Sequence, residues 1–234
     1  MDDIKRKILV SVDDGSVLDM DLADMLHKYK IPAIFYIAPT YSDLQAHQIR
    51  CLAGVGNCEL SRKLDGLFEI GSHTMTHPPD MKTLSDKQLK EELVESKKFL
   101  EMLIQGKKKV TKFCYPKGKF DKRVKKAVKK AGYLEARTVR SLSIEFPEDP
   151  FEIETTVHAH PEKYQDSKTP VELRGKSWKE IADILLDKVI KEGGRFELWM
   201  HSWELEKYNQ WEFLEDTFAY MDDKMSSIDY PRLI

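Results

Sequence analysis

The stretch KILVSVDDG, residues 7 to 15, joins a strand-like apolar run to two carboxylates and a glycine that permits a turn. Similar short runs, rich in β-branched or aromatic residues, recur at residues 33 to 38, 67 to 71, 110 to 115, 134 to 139, 151 to 157 and 195 to 201. Apolar positions three and four apart predict helices between them, over residues 18 to 29, 85 to 105, 119 to 131, 177 to 192 and 209 to 223. This alternation predicts an α/β fold in which helical crossovers join parallel strands.

Polar residues cluster where the predicted strands end. Asp13 and Asp14 end the first strand, His73 follows the third and His201 ends the last. The carboxyl ends of parallel strands meet on one face of a barrel or open sheet, where active sites of this class are built. The sequence therefore predicts one site that contains these side chains.

The bulk composition excludes several classes of protein. The 234 residues carry a formal net charge of -2, from 38 basic and 40 acidic residues, so no extended positive field predicts nucleic-acid binding. No apolar stretch approaches the roughly 20 residues that cross a bilayer. The N-terminus lacks the apolar run and cleavage site of a signal peptide, which predicts a cytoplasmic chain.

Neither linkers nor internal repeats divide the sequence, so we expect a single catalytic domain over residues 1–234. Residues 141–176, which contain four prolines and two histidines, are predicted to form an irregular loop region that lines the site. The cysteines at positions 51, 58 and 114 are odd in number and have no metal-site spacing, so no disulfide framework is expected.

The segments SVDDG and GSHTMTHP offer a set of metal ligands. Asp14, His73 and His77 supply a carboxylate and two imidazoles, and such a set leaves coordination positions open for water and substrate. Pro78 and Pro79 follow at once, which places the histidines on a turn rather than a helix. Taken alone, SVDDG also fits a strand that ends in an Asp-Gly turn, and HTMTH also fits two solvated loop histidines.

Two further segments carry possible catalytic groups. In FCYPKG, residues 113 to 118, Pro116 and Gly118 allow an irregular loop whose amides point inward to bind an oxyanion; a plain strand-to-helix turn explains the same residues. His201 follows an apolar run, so its imidazole is expected to be partly desolvated and its pKa to depend on its neighbours. A core histidine bonded to backbone is the alternative.

In this order the four segments resemble the motifs of polysaccharide deacetylases with a NodB-homology domain. SVDDG is similar to their TFDDG motif, GSHTMTHP to HxxxH, FCYPKG to a variant of RxPxG, and LWMHS to the closing LxH. The resemblance covers roughly residues 7 to 220. It implies a distorted (β/α) barrel of about seven parallel strands and a divalent ion, zinc first and cobalt, nickel or manganese as alternatives.

The resemblance also implies a role for each matching position. The metal ligands would be Asp14, His73 and His77, and Asp13 would be the general base. The backbone amide of Lys117 would stabilise the oxyanion, and His201 would be the general acid. The implied reaction is removal of an acetyl group from an N-acetylated or O-acetylated sugar by attack of a metal-bound water.

The chain departs from the family pattern in two places. Cys114 stands where an arginine usually orients the base, and we hypothesise that Arg137, at the end of the next strand, pairs with Asp13 instead; an ordinary surface pair is the alternative. The acidic motif that usually holds the acid histidine is not evident. His158 and His160 either line the pocket or are solvated loop histidines.

Other functions stay open from the sequence. Deformylation, or hydrolysis of another linear or cyclic amide, needs the same reacting groups. Two histidines and a carboxylate also suit a non-haem iron oxygenase, although the spare aspartate, the acid histidine and the parallel strands do not. A catalytically inactive carbohydrate-binding protein is a further alternative. The expected partner is an acetylated carbohydrate or amino sugar, and the sequence leaves the oligomeric state open.

Overall fold

The computed structural model describes residues 4–55, 58–63, 66–106 and 108–232, and its centre is one curled parallel sheet. The strands are β1 Arg6–Asp14, β2 Ala33–Ile37, β3 Phe68–Ser72, β4 Lys112–Cys114, β5 Glu135–Arg137, β6 Val157–His158 and β7 Gly194–Met200. They pair in the order β5-β4-β3-β2-β1-β7-β6, and every pair is parallel. The predicted distorted barrel is confirmed.

The barrel is open between its two edge strands, β5 and β6, which do not pair with each other in the described part of the chain. An isolated bridge from Arg137 to Ile153 extends the sheet beyond β5. The predicted strand at residues 151 to 157 is therefore wrong over most of its length, and only Val157–His158 at its end is a strand. The rest of residues 141–176 is irregular, as predicted.

Helices cover the outside of the sheet. They are α1 Asp19–Lys28, α2 Ala46–Leu52, α3 Glu59–Lys63, α4 Asp86–Leu103, α5 Lys122–Lys130, α6 Trp178–Glu192, α7 Ser202–Lys207 and α8 Trp211–Ser226. Ser85 and Ser177 begin α4 and α6 with reciprocal capping boxes, which satisfy amides at the helix starts. The five predicted helices are confirmed, and the short helices α2, α3 and α7 were not predicted.

Side chains on β1 alternate between two environments. Ile8, Val10 and Val12 belong to the large core between sheet and helices, whereas Leu9 belongs to a small cluster with Tyr36 and other inner residues. Helix α8 packs on α6 through a buried face. No helix in the described ranges is both long and apolar enough to cross a membrane.

No disulfide framework was expected, but one disulfide is present among the described residues. Cys51, near the end of α2, is bonded to Cys58, which directly precedes α3. Their Cα atoms are 6.1 Å apart, within the range that a disulfide requires. Cys114 is free and buried at the end of β4.

Candidate active site

Strand β1 delivers two consecutive carboxylates to the same place. Successive side chains of a strand point to opposite faces, so this arrangement requires a change of backbone conformation. Asp14 has φ 78° and Gly15 has φ 84°, both in the left-handed region. A Cβ on Gly15 would lie 2.6 Å from the hydroxyl oxygen of Ser42, so this turn also requires glycine.

His73 and His77 lie on the loop that follows β3. As predicted, the segment is not helical, and His77 has φ 52°. His73 Nδ1 lies 2.8 Å from the Cys114 carbonyl oxygen, so the ring donates from Nδ1 and leaves the Nε2 lone pair free. Burial lowers the pKa of His73 to about 4 and also lowers the pKa of His77, so both imidazoles are neutral at pH 7.

The two imidazoles and Asp14 fit a divalent ion. Asp14 Oδ1 lies 3.7 Å from His73 Nε2 and 3.5 Å from His77 Nε2. This oxygen is buried and has no hydrogen-bond partner among the described residues, which is unusual for a carboxylate. One metal ion would satisfy all three atoms at once, because the potential ligand atoms lie within 4.8 Å of one another.

Two other groups of potential ligands lie nearby. Asp13, His73 and Cys114 form one of them, but burial raises the pKa of the Cys114 thiol well above its usual value, and Asp13 already pairs with Arg137. The second is His158, His201 and Glu204, whose polar atoms largely bond one another. The Asp14 site therefore fits a metal best.

Asp13 lies in a buried cage of donors. The Arg137 guanidinium pairs with both carboxylate oxygens, and the Trp199 indole N–H donates to Oδ2 over 2.9 Å. Burial, the largest single effect, would raise the pKa of Asp13, but the charge and hydrogen bond of Arg137, together with the charges of His73 and His201, outweigh it and lower the pKa to about 2. Asp13 is thus ionised at neutral pH.

The hypothesised contact between Arg137 and Asp13 is present, and Arg137 is completely buried rather than part of a surface pair. Its Nε lies 3.6 Å from Glu197 Oε1, and Arg195 pairs with the other oxygen of Glu197. Arg137, at the end of β5, and Glu197 and Arg195, within β7, therefore form a chain of alternating charges below Asp13. Buried charges need such partners because an unpaired charge in the interior is costly.

His201 follows β7 and has a carboxylate partner that the sequence analysis missed. Glu204 Oε2 accepts from His201 Nδ1 at 2.7 Å and from His158 Nε2 at 2.9 Å. Burial lowers the pKa of His201, but the bond to Glu204 and the charges of nearby carboxylates outweigh burial and leave the pKa raised. His201 Nε2 lies 3.8 Å from Asp14 Oδ2. This imidazole therefore lies beside Asp14, His73 and His77, which are called the metal-ligand group below because they could hold an ion.

The interpretation of His158 and His160 as solvated loop histidines is wrong. Both side chains are buried. Parallel pairing of β6 with β7 sets His158 beside Trp199, and the His158 and Trp199 rings stack with centroids 3.8 Å apart. His160 Nε2 lies 3.6 Å from Glu204 Oε1. The loop histidines are thus part of the site's supporting structure.

One cavity of about 340 Å³ unites the predicted residues. Its lining includes Asp13, Asp14, His73, His77, Lys117 and His201. Arg137 is the exception, since it lies beneath Asp13. Of the aromatic side chains on the lining, Trp203 is 40% exposed and donates from its indole N–H to Asp14 Oδ2 over 3.1 Å. Tyr41 stacks on His77 and is also exposed.

Comparisons with known proteins identify a family and a similar fold. A family model described as polysaccharide deacetylase matches residues 1–136, a span that contains Asp13, Asp14, His73 and His77 but ends before Arg137 and His201. A family 4 carbohydrate esterase from Streptomyces lividans, solved in complex with acetate, has a TM-score of 0.57 at 16% identity and covers 96% of this chain and 90% of its own.

Two further structures are similar over part of their length. Streptococcus pyogenes deacetylase PplD, in complex with acetate, has a TM-score of 0.53 at 15% identity, with 63% of this chain and 62% of PplD covered. BA3943 from Bacillus anthracis, a CE4 family pseudoenzyme, has a TM-score of 0.57 at 19% identity, with 94% of this chain and 62% of BA3943 covered. This chain thus spans less than two thirds of both proteins, and at these identities the likeness shows the fold alone.

Proposed function

The chain belongs to the polysaccharide deacetylase family, and we propose that it is a metal-dependent hydrolase that removes an acetyl group from an N-acetylated or O-acetylated sugar. The observation that carries the proposal is the buried Oδ1 of Asp14, which has no hydrogen-bond partner among the described residues and faces Nε2 of His73 and Nε2 of His77. The fold also occurs in a pseudoenzyme, so these side chains, rather than the fold, support the activity.

The metal would be held by Asp14, His73 and His77. Zinc suits two imidazoles and a carboxylate, and cobalt, nickel and manganese accept the same ligands. When bound, such an ion lowers the pKa of a water toward neutrality and polarises an acyl carbonyl. The imidazoles are already neutral at pH 7, so they bind without first losing a proton.

Asp13 accepts the proton of the attacking water in this proposal. Its carboxylate is ionised at neutral pH, because Arg137 lowers its pKa. Arg137 and Trp199 each donate to it, which fixes its orientation from below and from β7. Because the base is already held in its reactive orientation, proton transfer requires little reorganisation free energy.

His201 then protonates the leaving group. An amide requires this step, because an unprotonated amine anion is a very poor leaving group. Glu204 raises the pKa of His201 and accepts from its Nδ1, so Nε2 is directed toward the cavity. The backbone amide of Lys117 is proposed to donate to the oxyanion.

One alternative becomes an outcome of the test: a deformylase or other amide hydrolase would use the same groups. The other, an iron oxygenase, has no use for an ionised Asp13 or for the His201–Glu204 pair. The cytoplasmic location remains a prediction.

Acetate release provides the test. We would load the protein with zinc or cobalt and assay N-acetylglucosamine oligomers and acetylated xylan, beside a chelated sample and the variants His73→Ala and His47→Ala. His47 is an exposed histidine on α2 and serves as the matched control. Release that requires both metal and His73 supports the proposal. One equivalent of bound metal without acetate release would favour a formyl or non-sugar amide substrate, whereas no bound metal would contradict the proposed site.

A further inference from the structure

Two lysines, Lys117 and Lys163, line the same cavity as the metal-ligand group and are exposed to solvent. We propose that the substrate of this site carries an anionic group, a carboxylate or a phosphate, beside its acetylated position, and that these two lysines bind it. The inference rests on the proposed function, since it names the class of sugar on which the deacetylase acts.

Neither lysine has an ionic partner in the described part of the chain. Other lysines on neighbouring elements do: Lys119 lies 3.9 Å from Asp80, and Lys112 lies 2.8 Å from Glu135. Within the described ranges, no carboxylate lies within ion-pair distance of the ammonium of Lys117 or Lys163. Both ammonium groups are therefore available to a ligand in the cavity.

Lys117 occupies a backbone conformation that lysine disfavours. Its φ of 53° and ψ of 15° are left-handed, where glycine or asparagine fits with less strain. The turn from Pro116 to Gly118 thus aims a long cationic side chain at the cavity at a local conformational cost. Strained positions of this kind concentrate at functional sites.

Lys163 belongs to a firmly attached part of the irregular region. Its amide donates to the His160 carbonyl oxygen over 3.2 Å. The next residue, Tyr164, is buried, and its hydroxyl accepts from the His158 amide over 2.6 Å. These contacts fix the base of the Lys163 side chain to β6.

Both lysines share their cavity with the groups proposed for catalysis, since Lys117 and Lys163 line it together with Asp13, His77 and His201. An anion bound by the lysines would therefore lie in the same cavity as these groups. The cavity, about 340 Å³, is near the lower end of ligand-site volumes and suits a single substituted sugar.

Product binding tests the inference separately from catalysis. Calorimetry with the zinc-loaded protein at low ionic strength would compare glucosamine, glucosamine 6-phosphate and muramic acid, which differ in their anionic group and lack the acetyl group. We expect at least one anionic product to bind roughly tenfold more tightly than glucosamine, and the preference to shrink as salt is added. Tighter binding of glucosamine 6-phosphate would identify the anionic group as a phosphate, and tighter binding of muramic acid would identify it as a carboxylate.

Variants test whether the lysines, rather than the metal, bind the anion. Lys163→Gln and Lys117→Asn, which keeps a residue suited to positive φ, should each reduce the preference about threefold to fivefold. Lys168→Gln changes another exposed lysine of the same region and should leave the preference for the anionic product unchanged. Equal binding of all three products, or a preference unchanged in both variants, would overturn the inference. A lysine-dependent preference without acetate release from any substrate would contradict the proposed function alone.

Discussion

Replacing Glu204 by glutamine should uncouple the acid histidine from its support while preserving its shape. Glu204 Oε2 is the shared acceptor for His201 Nδ1 at 2.7 Å and His158 Nε2 at 2.9 Å. A glutamine amide has one acceptor oxygen and no charge, so it cannot accept from both rings with the same strength. We expect the pKa of His201 to fall, because burial then acts without the opposing carboxylate.

The contacts set the size of the effect. A hydrogen bond to a charged group contributes roughly 1.5 to 3 kcal/mol, which corresponds to about a 10-fold to 150-fold change in rate if the bond holds protonated His201 in the transition state. Loss of a carboxylate that orients an imidazole elsewhere has similar effects, roughly 10-fold to 100-fold. Glu204→Gln should therefore lower kcat for amide hydrolysis by about 10-fold to 100-fold, with a smaller effect on KM.

The assay compares two leaving groups across pH. For an N-acetyl sugar, kcat should fall, and the basic limb of the pH profile should move to lower pH. For p-nitrophenyl acetate, whose leaving group needs no proton, the loss should stay within a few-fold. Glu206→Gln, an exposed change on the same helix, is the matched control. Amide hydrolysis within twofold of the unchanged protein, or equal losses on both substrates, would refute the role given to His201 and Glu204.

Further predictions concern the base, the metal and the titration of the fold. Arg137→Ala should lower kcat/KM at least 100-fold and destabilise the protein by roughly 3 to 5 kcal/mol, because it leaves a buried carboxylate unpaired; full activity in steady-state assays would contradict the pairing with Asp13. His77→Ala should weaken zinc binding more than about 100-fold in competition with a chelator, since losing an outer partner alone costs roughly 10-fold to 100-fold, and unchanged affinity would exclude His77 as a ligand. For the metal-free protein, burial lowers the pKa of His73 and His158 from 6.5 to about 4, so the unfolded state binds more protons between these values and the free energy of unfolding should fall as pH drops through that window. Each histidine contributes up to about 3 kcal/mol at about 1.4 kcal/mol per pH unit. The raised pKa of His201 acts mainly above pH 6.5, whereas Asp19, whose pKa burial raises, opposes the trend within the window; urea unfolding that is more stable at pH 4.5 than at pH 7 would contradict the net direction.

The sheet was predictable where the chain repeats a simple pattern. Buried parallel strands appear as short apolar runs, and the long helices carry apolar stripes, so periodicity alone predicts them. Helix α7, Ser202–Lys207, is too short to show such a stripe. The run at residues 151 to 157 has strand-like composition, yet Ile153 forms only an isolated bridge to Arg137 and Val157 alone pairs as part of a strand.

The site was predictable to the extent that its residues follow strand ends. Asp13, Asp14, His73 and His201 each do so, and the parallel topology brings them together. Glu204 was missed because its spacing of three from His201 has meaning only once that segment is helical. The position of His158 depends on the register of β6 against β7, which aligns it with Trp199. Sequence periodicity does not specify register between strands that are distant along the chain.

In the proposed mechanism, one metal ion held by Asp14, His73 and His77 is required for hydrolysis. A zinc titration of the metal-free protein, with acetate release from an acetylated sugar recorded at each step, tests this requirement. We expect activity to rise in proportion to added zinc and to reach a plateau at one equivalent. His73→Ala should show no rise at that ratio, whereas His47→Ala should match the unchanged protein. Equal activity with and without zinc, or a rise that survives in His73→Ala, would contradict this requirement.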